Sequence, residues 1–342
     1  MKIPEPTNSI ANLIDASFEA EKQENRSHLG PSQMGNTCDR SIWYQFRWAY
    51  EPKFPGRTMR IFRRGQNEEP QVVSDLRRIG IDVRETGKNQ RRVIFGGHVQ
   101  GSIDGIIYGG VPEAPKKMHI LEIKTHNKKS FDDILKNGIK PEHYIQMQMY
   151  MSITGIDRAL YVAVCKDDDR YHFERVRLNP YEAEKAIERA KRISATESIP
   201  APISTDPSWY QCKFCNAYEI CHTTKKTKEV NCRTCANSTP KEDGTWYCEK
   251  WQSEIPVEAQ RIGCEYHVAH PDLVPWRLVP DLSDEFVAAY DINGEIVKNG
   301  YGHRSSYLLL NVEPKTTEET VDQTACRVFD GEVVDFDELR RA

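Results

Sequence analysis

Nowhere does the chain hold an apolar run long enough to cross a bilayer. Its first residues, Met1-Lys2-Ile3-Pro4-Glu5-Pro6, are polar and broken by proline, not built as a signal peptide. A soluble cytoplasmic protein is the expectation. A global positive field is missing too. The 47 Lys and Arg stand against 51 Asp and Glu, for a net charge of −4. Any nucleic-acid path is therefore confined to a local basic patch. There is no Walker A sequence and no helicase-like motif, so the chain is not expected to hydrolyse ATP by itself. Cysteine, in contrast, is plentiful. Ten of them in a chain without a secretion signal point to metal or cluster binding rather than disulfides. With 342 residues there is room for one large domain plus one or two small ones, and for a substantial core.

The most informative stretch runs from His98 to Thr125. It holds Gly101-Ser102-Ile103-Asp104-Gly105, then a loop with Val111-Pro112-Glu113-Ala114-Pro115, then Ile120-Leu121-Glu122-Ile123-Lys124-Thr125. Residues 93–108 and 118–124 are rich in Val, Ile and Tyr and bounded by Gly and Pro, which predicts strands. Side chains alternate along a strand, so Glu122 and Lys124 share a face while Ile123 points into the core. An acid and an amine on a buried face are costly unless they pair or hold a metal. Asp104, ending the preceding strand, can meet them. Two carboxylates and one lysine form a candidate Mg²⁺ site, with oxygen ligands for the ion and an ammonium to orient a water.

D…E-x-K on adjacent strands resembles the PD-(D/E)xK nuclease motif. The following helix carries Gln146-Met147-Gln148-Met149-Tyr150, which is similar to the Q-x-x-x-Y element of RecB-like exonucleases. E-x-K alone is weak, since any exposed strand can show it. The combination with Asp104, Gln146 and Tyr150, in order, carries the resemblance. It implies that Glu69, after Gly65-Gln66-Asn67-Glu68, is a further metal ligand where the family usually has His, with Glu68 as the alternative. The Ile123 carbonyl is implied as another ligand.

Elsewhere, Ile10, Leu13, Ile14 and Phe18 predict a short helix within 8–25. Another opens after Ser32 or Asn36 as cap, with Cys38 inside Cys38-Asp39-Arg40-Ser41-Ile42-Trp43-Tyr44. Residues 57–79 read as a long helix containing Pro70. Its Arg57, Arg60, Arg63 and Arg64 gather toward one side, as phosphate contacts or as a solvated face. Residues 81–86 and 91–96 are expected to pair around Thr86–Gln90. Lys128 and Lys129 follow the acidic strand, and Pro141 starts a helix over 141–154. Met147, Met149 and Met151 suit core packing. Residues 158–165 form a buried strand with Cys165 as a core thiol, and 171–178 return as its hairpin partner. A helix over 180–195 and a Pro-rich linker at 200–207 complete this region.

Cys212, Cys215 and Cys221 give C-x2-C-x5-C, one ligand short of a four-ligand site. With the early Cys38, the layout resembles iron–sulfur RecB-like nucleases of the AddB and CRISPR-associated type. That resemblance implies that Cys38, Cys212, Cys215 and Cys221 hold a [4Fe-4S] cluster that staples the two ends of the nuclease domain. The rival is a zinc site of the three late cysteines with His222. Cys232, Cys235, Cys248 and Cys264 suit a small treble-clef-like or ribbon-like Zn²⁺ module, with His267 or His270 as a substitute ligand. Residues 286–297 read as a hairpin around Asn293-Gly294. No chemistry is read in 276–342. The tail from Thr316 is acidic and expected to be partly mobile, and Cys326 is incidental.

The expectation is an α/β fold: a PD-(D/E)xK restriction-endonuclease-like core, a mixed central sheet flanked by helices, with an iron–sulfur lobe and a zinc module. The boundaries are an arm at 1–30, a nuclease domain at 31–225, a four-cysteine module at 226–275 and a hairpin with acidic tail at 276–342. The function implied is a Mg²⁺- or Mn²⁺-dependent DNA exonuclease of phage or prophage type, in recombination, replication or DNA processing. Asp104, Glu122, Lys124, Gln146 and Tyr150 would be its catalytic residues, and Glu69, Asp104, Glu122 and the Ile123 carbonyl its metal ligands. Arg57, Arg60, Arg63 and Lys128 would contact DNA, single-stranded or as duplex ends. A helicase, recombinase or single-strand-binding protein is a conceivable partner; a membrane is not. Two other classes compete: a non-catalytic iron–sulfur DNA-binding subunit of a nuclease-helicase or repair complex, and a redox sensor built on the cluster.

Overall fold

The computed structural model describes residues 9–21 and 23–311, with the backbone of 326–329 and 332–335. The chain divides into two compact units, Met1–Thr37 with Pro52–Ser194, and Cys38–Glu51 with Ala195–Ala342.

Two helices come first. In the first unit, α1 (Ile10–Glu19) is opened by Ser9, whose hydroxyl accepts the Asn12 N–H. In the second, α2 (Asp39–Phe46) opens on Cys38, not on the expected Ser32 or Asn36; Ser32 lies in a 3₁₀ turn, Pro31–Gly35. The long α3 (Gly56–Arg78) carries Pro70 inside it. Its first N–H, on Gly56, donates to Glu19 Oε1 at 2.7 Å. A Cβ on Gly56 would stand 2.3 Å from the Asp15 carbonyl oxygen, so only glycine permits this approach of α1 to α3.

Five strands follow: β1 (Val83–Arg84), β2 (Arg92–Gly96), β3 (Val99–Ser102), β4 (Gly105–Ile107) and β5 (His119–His126). The strand expected over 93–108 is thus three short ones. Gly96 and Gly97, both at positive φ, turn the chain between β2 and β3, and Asp104 sits in a bend before β4. The expected pairing of 81–86 with 91–96 does not form. β1 pairs with β4 (Val83↔Ile107), and β2 pairs with β3 (Val93↔Gly101). The cause is burial. Val83 and Ile107 share one apolar core under α3, whereas β2 alternates buried Val93 and Phe95 with exposed Arg92 and Ile94 as a one-faced ribbon.

From β5 the chain crosses through α4 (Lys128–Asn137), a helix not expected, and α5 (Pro141–Thr154) to β6 (Arg158–Cys165), which runs parallel to β5. Then β7 (Tyr171–Arg177) returns antiparallel, followed by α6 (Pro180–Ala195). The sheet order is β1-β4-β5-β6-β7, a mixed sheet. β6 is buried from Ala159 to Cys165, as a strand covered on both faces must be. Val72, Val73 and Leu76 of α3 pack on Leu121, Ile123, Leu160 and Val162. Met147, Met149 and Met151 of α5 are wholly buried. The unit is a mixed α/β fold.

In the second unit, α7 (Tyr210–Lys213) and α8 (Tyr218–His222) precede a small sheet of β8 (Ser238–Pro240), β9 (Trp246–Cys248) and β10 (Ser253–Glu254), closed by α9 (Val257–Gln260). A second sheet holds β11 (Arg277–Leu278), β12 (Val287–Ile292) and β13 (Glu295–Gly300), with α10 (Ser306–Asn311) behind it. Asn293 and Gly294 turn the β12–β13 hairpin at φ 56 and 91, as their sequence predicts. Val268 and Ala269 share a core with Ala288, Tyr290, Leu309 and Leu310. Two buried guanidiniums brace the unit among aromatic rings. Arg47 lies 5.1 Å from the Trp43 ring, and Arg233 lies 3.9 Å from the Trp48 ring. β14 (Cys326–Phe329) pairs with β15 (Glu332–Asp335). The rest of the tail from Thr316, and the Cys326 side chain, lie outside the described residues. Among the described residues no helix is long and apolar enough to cross a membrane.

Candidate active site and cysteine clusters

The candidate active site is built on β5 in the first unit. Alternation along the strand sends Leu121 and Ile123 into the core under α3 and gives Glu122 and Lys124 the other face. Lys124 Nζ donates to Glu122 Oε1. Glu122 Oε2 is buried and has no hydrogen-bond partner. β4 ends its pairing with β5 at Gly105↔Leu121. Beyond that point Asp104 replaces it, with Oδ2 accepting the Ile123 N–H at 2.9 Å. N–H and C=O of one strand residue leave on the same edge, so the Ile123 carbonyl faces the Asp104 side as well.

Glu69 of α3 belongs to this group, for its charge acts on Glu122 and Lys124 and it feels Asp104 in turn. Glu68 instead acts on Tyr171. Burial pushes Glu69 up to about 7, Asp104 adds to that rise, and Lys124 opposes it. Burial pushes Glu122 up to about 8; Lys124 holds it back while Asp104 and Glu69 raise it further. Burial likewise raises Asp104, against Lys124 and the Ile123 N–H. On Lys124 burial works downward, but the surrounding carboxylates outweigh it and the net shift is upward. Three acids face one ammonium, so the group as it stands is short of positive charge.

Gln146 and Tyr150 stack one turn apart on α5, both buried. The Tyr150 hydroxyl donates to the Ser102 carbonyl at 2.8 Å, and Gln146 bears on the same hydroxyl electrostatically. Tyr150 therefore ties α5 to the end of β3, two residues before Asp104. Gly101 makes this possible, as a Cβ there would lie 2.6 Å from the Tyr150 hydroxyl.

Sequence reasoning missed a neighbouring network. Tyr161, in register with Glu122 on β6, has its hydroxyl 3.0 Å from His126 Nε2 and 2.9 Å from His143 Nδ1. His126 Nδ1 lies 3.1 Å from Ser130 Oγ. Burial, helped by Lys124 and Lys140, lowers His126 to about 4 and His143 to about 3, so both are neutral at pH 7. The available signal was spacing: His126 follows Lys124 by two, and His143 precedes Gln146 by three on one helix face.

The basic residues expected to meet DNA are scattered in their engagements. Arg57 is exposed. Arg60 pairs with Asp15 at 2.9 Å, Arg63 lies over the Phe18 ring, and Arg64 donates to the Lys166 carbonyl. Lys128 Nζ pairs with Asp132 at 2.8 Å. Of these, only Lys128–Asp132 is an exposed ion pair, and such pairs are weak.

In the second unit the four cysteines of the first set come together. Cys212 is raised by burial and then by Cys38, Cys221 and Cys215. Arg40 Nη1 reaches Cys221 Sγ at 3.9 Å, and Ser41 Oγ lies 3.3 Å from Cys215 Sγ. His222, the rival ligand, packs against the Tyr218 ring and acts on Asp206. The second set, Cys232, Cys235, Cys248 and Cys264, lines one cavity. The N–H groups of Asn237 and Val268 both donate to Cys235 Sγ at 3.4 Å. Burial, with the neighbouring thiols, pushes Cys232 up to about 12. His267 also lines the cavity, but its Nε2 is engaged by the Asn231 carbonyl at 3.0 Å. His270 caps the next turn, accepting the Asp272 N–H. Among the described residues, no three or more His, Cys, Asp or Glu side chains stand at the spacing of a single metal ion.

Residues 43–157, about a third of the chain, match the family profile of the YqaJ-like viral recombinase domain. The matched stretch holds Glu69, Asp104, Glu122, Lys124, Gln146 and Tyr150 but neither late cysteine set. No curated protein matches. Among solved structures, one titled SSO0001 is similar at 15% identity and TM-score 0.40, covering 63% of this chain and 97% of its own. An alkaline exonuclease, LHK-Exo from Laribacter hongkongensis, is similar at 18% identity and TM-score 0.38, covering 52% of this chain and 90% of its own. Its complex with dAMP gives 18% identity and 0.37 over the same shares. Scores this low carry no argument about the chain.

Proposed function

We propose that the chain is a deoxyribonuclease, a metal-dependent DNA exonuclease acting in phage recombination. The observation that carries this reading is the group on β5. A carboxylate with one buried, unpartnered oxygen, Glu122, shares a face with Lys124 and sits beside Asp104 and Glu69. The family profile across the same residues supports it.

By chemistry these residues suit a hard divalent cation, although in the metal-free chain they do not stand at its spacing. They supply several carboxyl oxygens, which a cation would deprotonate on binding, and an orphaned acceptor, the donor type that Mg²⁺ and Mn²⁺ prefer. Asp104, Glu122, Glu69 and the Ile123 carbonyl would hold the ion. When bound, it lowers the pKa of a water and offsets the charge of the scissile phosphate. Lys124 then keeps its ammonium beside Glu122, donates to the attacking water to orient it, and stabilises charge building on the phosphoryl oxygens. The water's oxygen bonds to phosphorus and its proton leaves to solvent, while the P–O bond to the leaving nucleotide breaks and the departing sugar oxygen takes a proton from solvent. Gln146 and Tyr150 act at one remove, fixing the β3 end and so the Asp104 bend. Arg57, Arg60, Arg63 and Lys128 are the phosphate contacts in this reading.

The cysteines complete the proposal. Cys38, Cys212, Cys215 and Cys221 would bind a [4Fe-4S] cluster, for the four thiols converge although 174 residues separate Cys38 from Cys212. Cys232, Cys235, Cys248 and Cys264 would bind Zn²⁺, and the two N–H groups aimed at Cys235 Sγ suit a thiolate. The test is digestion of end-labelled single- and double-stranded DNA with Mg²⁺ or Mn²⁺. Stepwise release of nucleotides from an end supports the reading; no cleavage of either substrate with either metal would sink it.

A further inference from the structure

We propose that three contacting rings in the second unit, Trp251, Tyr266 and Tyr301, with Lys250 beside them, form a platform for single-stranded DNA, separate from the proposed active site. Trp251 meets Tyr266 edge-on, with centroids 5.1 Å apart and planes at 83°. Tyr266 stacks on Tyr301 at 4.4 Å and 18°. Despite these contacts, Trp251 and Tyr301 remain 56% and 55% exposed. Packing normally removes rings of this size from water, and a contiguous exposed set marks a binding surface.

The chain holds the rings in place with the turns of its thiol cluster. Trp251 follows Cys248 by three residues, and Tyr266 follows Cys264 by two. The near-parallel stacking of Tyr266 on Tyr301 keeps the pair together. Lys250 Nζ lies 4.9 Å from the Tyr266 centroid and 4.8 Å from that of Phe286. Its charge thus rests over rings instead of against a carboxylate. Ring faces beside an ammonium match the alternation of base and phosphate along one strand.

Duplex DNA fits poorly, because its base faces are already covered and a single lysine neutralises little of its backbone. Glu265 also acts on Tyr266 and disfavours a dense phosphate tract, so the platform suits one or two bases, not a long groove. Proline-rich peptides dock on aromatic surfaces as well, but they give no role to Lys250.

The inference stands on the second unit alone and does not require the nuclease reading. The test is fluorescence anisotropy of labelled oligo(dT) titrated with the full chain, without added divalent ion so that nothing is cut. Trp251→Ala and Tyr301→Ala should each weaken binding about tenfold, while Trp251→Phe keeps most of it. Lys250→Gln should flatten the dependence on salt by about one ion. A duplex of equal length should bind the same with or without the rings. Unchanged oligo(dT) binding in both alanine variants, an equal loss on duplex, or ring-dependent capture of a polyproline peptide instead of oligo(dT) would each overturn the proposal. Ring-dependent oligo(dT) binding by a chain that never cleaves DNA would uphold it and remove only the nuclease reading.

Discussion

Asp104 Oδ2 accepts the Ile123 N–H at 2.9 Å, so a side chain takes the place on the β5 edge that β4 backbone holds two residues earlier. That substitution keeps a carboxylate beside Glu122 and leaves its second oxygen for a ligand.

Removing the ammonium tests the site most directly. Lys124→Ala should lower cleavage by about 100-fold or more while the fold survives, since the loss falls on charge developing during reaction. Asp104→Ala should abolish cleavage and also destabilise the chain by about 1–3 kcal/mol, because the Ile123 N–H loses its partner. Rate assays on end-labelled DNA and thermal melting read the two effects. Undiminished cleavage by Lys124→Ala would remove this site from the mechanism.

Metal binding should rise with pH. Burial pushes Glu69 up to about 7 and Glu122 up to about 8, well above the ordinary carboxyl range, so both hold protons at lower pH that a cation must displace. Mn²⁺ affinity measured by calorimetry should climb between pH 6 and 8.5, with proton release greatest near neutrality. For the metal-free chain the sign is opposite: raised carboxyl pKa values stabilise below about 4.5, and that contribution fades as pH rises through 8. Glu69→Gln should shorten the pH span over which affinity changes. A flat Mn²⁺ affinity across this range would show that these carboxyls are not the ligands.

The buried histidines give a second pH test with its own sign. His126 is depressed from 6.5 to about 4 and His143 to about 3, so unfolding takes up protons between those values. Stability is full above about 6.5 and falls as pH drops toward 4, by on the order of 3 kcal/mol for buried His126 alone. Thermal melting between pH 7 and 4.5 should show the decline, and His126→Asn should reduce its slope. An identical slope in that variant would mean other groups set the acid limit.

Local pattern made much of the first unit legible. The run Ile120–Thr125, the β6 run Ala159–Cys165 and the methionines of α5 carry periodicity that burial enforces. Asn293-Gly294 fixes its hairpin by backbone preference alone. Strand partnership was not legible, because whether Val83 joins Ile107 or the β2 ribbon depends on the core beneath α3. The role of Tyr150 was hidden for the same reason: its partner is a backbone carbonyl, on Ser102, and no side-chain pattern announces it. The His126–Tyr161–His143 network joins three elements, so no local window contains it. In the second unit the ring contacts needed Tyr301, 35 residues beyond Tyr266.

The early cysteine discriminates between the two arrangements possible for the first thiol set. Cys38 acts on Cys212 and Cys221 within one unit. If the four ligate one [4Fe-4S] centre, anaerobically prepared protein should be brown, with iron and sulfide each near about four per chain. Cys38→Ser should bleach it as fully as Cys215→Ser, and should lower the melting temperature because a cross-link closing a long loop is lost. Cys165→Ser should leave the colour alone, as that thiol is sealed in the β6 core of the other unit. Zinc at about one per chain should persist in all three variants and fall only when Cys232 and Cys235 are replaced together. Retention of full iron by Cys38→Ser would mean that Cys212, Cys215 and Cys221 close their own site. That outcome would require His222 to turn from the Tyr218 ring, so His222→Ala in the same background should then release the metal.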